Sequence, residues 1–140
     1  MQENRVLVVE DEALVAMALE DFLSEAGFTV VLASDAASAV KKLEAEFHDF
    51  EAVVTDIRMP GSLSGWDVGE RARKLRPNMP VVYCSGDKGA DWAARGVPNS
   101  IMLLKPFSMT ELVATLAQLM DDSHSQVGKA VSAAGPGRYS

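Results

Sequence analysis

Five polar residues stand where aliphatic runs break off. Glu10 and Asp11 follow Arg5 to Val9, Asp56 follows Ala52 to Thr55, Ser85 follows Val81 to Cys84, and Lys105 follows Ile101 to Leu104. If those runs lie side by side and end at one edge, Glu10, Asp11 and Asp56 repel one another, by about 4 kcal/mol per pair at about 4 Å and an effective dielectric constant of about 20. A cation relieves that repulsion. A donor set made only of oxygens suits Mg²⁺, which takes one or two carboxylates, keeps several waters and accepts phosphate oxygens as further ligands. No Cys or His cluster, Ser-His-Asp set or glycine-rich phosphate loop accompanies these residues. Metal-assisted phosphoryl transfer to a carboxylate is therefore the chemistry that fits, with Asp56 as nucleophile. Lys105 would pair with one phosphoryl oxygen and the Ser85 hydroxyl would donate a hydrogen bond to another.

Such a site needs a scaffold that brings strand ends together. The four runs named, with Thr29 to Ala33, read as five strands, and their nearly continuous apolar character predicts a parallel sheet covered on both faces. Helical spacing lies between them. Val15, Leu19, Phe22, Leu23 and Ala26 share a face that Gly27 ends; Ala36, Val40, Leu43 and Phe47 follow a cap at Ser34 or Asp35. A third helix starts near Gly65, buries Val68, Ala72 and Leu75 and stops at Pro77, and the last carries Leu112, Val113, Leu116, Leu119 and Met120. Between them, Lys88 to Arg95 has little apolar face beyond Trp92, which predicts a short or mobile element. Strands alternating with helices imply a three-layer α/β fold whose ligands sit outside the carboxyl ends of the strands.

Composition narrows the function classes. The chain has 140 residues, 48% of them apolar, and a formal net charge of −7. That balance suits one soluble domain, and no basic stripe is dense enough to hold a nucleic acid backbone. No apolar run approaches the ~20 residues of a membrane span, and Met1 to Asn4 lacks a signal-peptide pattern, so neither membrane nor export is expected and a cytoplasmic place is. The single Cys84 reads as a small buried hydrophobe. His48 and His124 lack spaced partner ligands for a metal. Trp66 reads as packing, whereas Trp92 suits either packing or a partner surface. From about Asp122 the composition turns to Ser, Gly and Ala, which predicts a domain over residues 4–121 and a flexible tail over 122–140.

Four ordered motifs carry a specific resemblance: Val8-Val9-Glu10-Asp11-Glu12, Asp56-Ile57-Arg58-Met59-Pro60, Ser85-Gly86 and Lys105-Pro106-Phe107. Over residues 4–121 the chain resembles the receiver domain of two-component response regulators. The resemblance implies a flavodoxin-like, doubly wound sheet of five parallel strands in the order 2-1-3-4-5 with five helices. It implies Glu10 and Asp11 as the acidic pair for Mg²⁺, Asp56 as phosphoacceptor and metal ligand, the Arg58 backbone carbonyl as a further ligand, Ser85 as the switch hydroxyl and Lys105 as the family's lysine. It also implies a cis Lys105-Pro106 bond, and places Arg58 and Asp87 where they face the phosphoryl group. The partners implied are a histidine kinase or histidine phosphotransfer protein upstream and a protein target downstream. At this length a stand-alone receiver is expected, one that catalyses chemistry only on itself.

Two positions depart from the family. An aromatic residue often stands three residues before the lysine, where this chain has Met102, and the loop Gly61 to Gly65 is about one residue longer than usual. Other readings remain open beside the switch. A phosphorylation-independent interaction module with this fold predicts no metal dependence. A phosphatase of the haloacid dehalogenase type needs a second acid where Arg58 stands, and a flavodoxin-like nucleotide binder needs a phosphate loop.

Overall fold

A computed structural model describes residues 4–87 and 91–132 of the chain, with side chains described to residue 123. Five strands form one sheet: β1 Arg5–Val9, β2 Thr29–Ala33, β3 Ala52–Asp56, β4 Val81–Ser85 and β5 Ile101–Leu104. All pair in parallel in the order β2-β1-β3-β4-β5. Successive strand residues face opposite sides of a sheet, and here both sides are covered. Leu7, Val9, Val53, Val81 and Tyr83 meet α2 (Ala36–Glu46) and α3 (Gly65–Leu75) on one side. Val6, Val8, Ala52, Val54, Val82 and Cys84 meet α1 (Ala13–Glu25) and α5 (Met109–Ser132) on the other. This double burial is why the strands read as continuous apolar runs.

Local chemistry sets the helix ends. The Asp35 carboxylate accepts the Ser38 N–H at 2.8 Å and starts α2. Ser64 and Asp67 form a reciprocal capping box at the start of α3. Past the end of α1, Gly27 adopts φ +101°, a left-handed turn that most residues resist. The fourth helix, α4, is a single turn at Trp92–Arg95 closed by Gly96, as short as its weak apolar pattern predicts. Lys88, Gly89 and Ala90, which belong to the same expectation, lie outside the described residues.

The flexible tail expected from 122 needs correction over its first part, residues 122–132. Helix α5 continues to Ser132. The expectation rests on composition, but residues 122–132 contain no proline, and isolated Ser or Gly weakens a helix without ending it. Tertiary contacts complete the explanation: Ser123 is buried, its hydroxyl donates to the Asn78 carbonyl at 2.8 Å, and Gln118 bonds Asp122 one turn on at 3.1 Å. The rest of the expected tail, 133–140, lies outside the described residues.

Candidate functional site

In this strand order the chain leaves β1 toward β2 on one side and returns to β3 on the other, so a crevice opens between the carboxyl ends of β1 and β3. Asp56 is the last residue of β3 and only 7% exposed; Glu10, just past β1, is 3% exposed. Asp11, next in the chain, is exposed. Carboxylate oxygens of Glu10, Asp11 and Asp56 all lie within 4.8 Å of one another. From the end of β5, Lys105 places its Nζ 2.8 Å from Asp56 Oδ1 and 3.5 Å from Glu10 Oε1. The other Glu10 oxygen accepts the Glu12 N–H at 3.0 Å, which turns the chain into α1 and aims the carboxylate at the crevice.

The electrostatics follow from burial. Loss of hydration raises the Asp56 carboxyl, the Lys105 hydrogen bond opposes this, and the hydrogen bond and charge of Glu10 add to it, so that together they push it up to about 7. Burial works against the charge on Lys105, but the Asp56 bond and the charges of Asp56 and Glu10 outweigh it and raise the ammonium above its ordinary range. One ammonium thus faces a buried carboxylate pair, and a site with negative charge to spare can take a further cation. Cys84, register partner of Asp56 on β4, is buried and its thiol is pushed up to about 12, so it stays a protonated core residue as expected.

The remaining predicted residues ring this centre without all touching it. Ser85 closes β4, and its hydroxyl accepts the Asp87 N–H at 2.9 Å, engaged with its own loop. The Arg58 side chain lies in solvent and pairs with Asp87 at 2.7 Å across the mouth of the crevice. Lys105-Pro106 is cis. Trp66 is buried against Tyr83, with ring centroids 4.9 Å apart; Trp92 is partly exposed and donates to Ser100. His48 is exposed beside Phe47, and the His124 side chain lies outside the described residues.

Two features escaped the sequence reading. Met102 is indeed not aromatic, but its cross-strand partner is the fully buried Tyr83, whose hydroxyl accepts the Val97 N–H at 3.2 Å. Gly65 lies against the Asp56 backbone. The signal available was a pair of glycines in one helical pattern, Gly65 at its start and Gly69 inside it, where an interior glycine costs about 1 kcal/mol and so marks a close approach.

Comparison with known proteins decides the family. The response regulator receiver domain profile matches residues 6–117. The chain belongs to the response regulator receiver domains. Among solved structures, a response regulator receiver protein from Sinorhizobium medicae WSM419 superposes with a TM-score of 0.83 at 39% identity, over 86% of this chain and 97% of that one. The response regulator TrrA from Thermotoga maritima, solved in complex with Mg(2+)-BeF, gives 0.72 at 26% identity over 83% and 98%. Among curated relatives, the transcriptional regulatory protein TcrA of Mycobacterium tuberculosis is 34% identical over 117 residues, 82% of this chain and 45% of that protein. This receiver chain spans between about a quarter and about half of the length of such curated relatives. The expected fold, strand order included, is the fold observed.

Proposed function

We propose that this receiver domain is a switch set by Mg²⁺-dependent phosphorylation of Asp56. One observation carries the reading: a buried Asp56 carboxylate with Lys105 Nζ at 2.8 Å and the Glu10 and Asp11 oxygens within 4.8 Å. The all-oxygen donor set and its excess negative charge fit Mg²⁺, which would be held by Asp11, Asp56 and the Arg58 carbonyl with Glu10 behind them. Bound there, the ion supplies charge neutralisation for the incoming phosphoryl oxygens. Asp56 attacks phosphorus, an O–P bond forms, and the P–N bond of a phosphohistidine breaks with its electron pair going to the imidazole nitrogen. Lys105 holds one phosphoryl oxygen. Ser85 exchanges its bond to the Asp87 N–H for one to another oxygen, which moves the end of β4 and alters the α4 to α5 side of the domain. Water later attacks phosphorus and releases phosphate, so all of the chemistry is done on the chain itself.

The donor is a histidine kinase or histidine phosphotransfer protein, and the output is binding to another protein in the cytoplasm; the net charge of −7 disfavours direct contact with nucleic acid. The test is incubation with acetyl phosphate in Mg²⁺ or in EDTA, with intact mass followed for wild type and Asp56→Asn. One phosphate adduct that needs both Mg²⁺ and Asp56 supports the switch. No adduct from either acetyl phosphate or a phosphorylated kinase would favour a phosphorylation-independent module.

A further inference from the structure

Gly65 is the first residue of α3 and is buried. A Cβ added to it would lie 2.0 Å from the Asp56 carbonyl oxygen and 2.8 Å from both the Asp56 carbonyl carbon and Ile57 Cα. These are backbone atoms at the strand end, with no flexible tip that could turn aside. The Gly65 N–H donates to the Ile57 carbonyl at 2.8 Å, so helix and strand end are tied by a hydrogen bond as well as pressed together. Gly65 is not among the glycines with positive φ, so what the position requires is space and not conformational freedom. The Ser64–Asp67 capping box holds the helix in this place, and the Thr55 hydroxyl bonds the same Asp56 carbonyl at 2.8 Å.

We infer that Gly65 is a positioning residue for Asp56: by lacking a side chain it lets α3 brace the backbone of residues 56 and 57, which sets the Asp56 carboxylate against Glu10, Asp11 and Lys105. The inference rests on Asp56 being the phosphoacceptor. A methyl group at position 65 falls about 1 Å or more short of ordinary contact distance, so the strand end must move by a comparable amount. A displacement of about 1 Å at a reacting group is enough to cost about a hundredfold in rate.

The control lies in the same helix. A Cβ on Gly69 would meet the Tyr83 hydroxyl at 2.1 Å, which strains the core away from Asp56. Acetyl phosphate labelling by intact mass, together with Mg²⁺ titration followed by tryptophan emission, compares wild type, Gly65→Ala and Gly69→Ala. In Gly65→Ala the labelling rate is expected to fall about a hundredfold and the Mg²⁺ dissociation constant to rise about tenfold or more, while Gly69→Ala keeps both wild-type values. Wild-type labelling and Mg²⁺ affinity in Gly65→Ala, or equal losses in Gly69→Ala, would overturn the inference. If Gly65→Ala does not fold, removing caps decides: Ser64→Ala, which loosens the start of α3, must weaken Mg²⁺ binding, and Asp35→Ala, which uncaps α2, must not. Equal effects of those two changes would sink the idea. A wild type that forms no adduct removes the Asp56 reading itself, an outcome distinct from a labelled wild type with an equally labelled Gly65→Ala.

Discussion

Asp56 is a carboxylate held where water can barely reach it, and its acidity reports that cost. Burial pushes it up to about 7 from an ordinary value of 3.8, with Lys105 opposing and Glu10 adding to the shift. In the metal-free protein the folded state therefore keeps a proton that the unfolded chain has already lost. Stability is expected to fall as pH rises from about 4 to about 7, and to level off above. Asn at position 56 has no such equilibrium. In EDTA at about pH 8, Asp56→Asn should exceed wild type in stability by at most about 4 kcal/mol, one pKa unit being worth about 1.4 kcal/mol, and the gap should close near pH 4. Urea unfolding at the two pH values reads this directly, and equal stability at the higher one would mean that the buried carboxylate carries no penalty. Lys105 answers for the opposite charge. Lys105→Ala leaves Asp56 and Glu10 facing each other without their ammonium, so acetyl phosphate labelling should drop by about a hundredfold even in saturating Mg²⁺.

At the scale of elements, legibility depended on whether a contact was local. All five strands were found to within a residue at either end because a parallel strand buried on both faces has to be apolar until it stops, and the polar residue that stops it is the site. Asp56, Ser85 and Lys105 were visible for that reason. The hold on the segment between α4 and β5 was not. Arg73 reaches from α3 to the carbonyls of Met79, Pro98 and Asn99, and Tyr83 accepts from Val97, contacts between positions that share no period. Nor could spacing reveal that Tyr83 takes up the space beside Met102. Tyr83→Phe should keep the packing against Trp66 and lose the hydroxyl bond, at a cost of about 1 kcal/mol. Hydrogen exchange at the Val97 amide is the specific reporter: it should speed up in the variant, and unchanged protection would mean the amide is held by something else.

Across the whole molecule the chemistry lies at one edge of the sheet, and the last helix starts just past Lys105 at that edge and runs across one face toward the other. Asp56 and Ser85 end their strands, whereas Asn78, which receives the Ser123 hydroxyl, lies just before β4 begins. Helix α5 is thus fastened at Ser123 to the amino edge, and the Asn78 side chain bonds the Ser123 carbonyl in return at 3.5 Å. Cutting the chain after Asp121 removes both bonds and the buried Ser123, and should lower stability by about 1–2 kcal/mol. Labelling at Asp56 should not change, since β3 and β4 lie between the cut and the crevice and their pairing is untouched. Ser123→Ala separates the hydroxyl from the rest of the extension: it leaves the half-buried Asn78 carbonyl without that donor and should account for about half of the loss. A truncated protein as stable as the full chain would mean the extension is not docked at all. One that folds but labels slowly would couple the Ser123 region of α5 to Asp56, against the separation of the two edges.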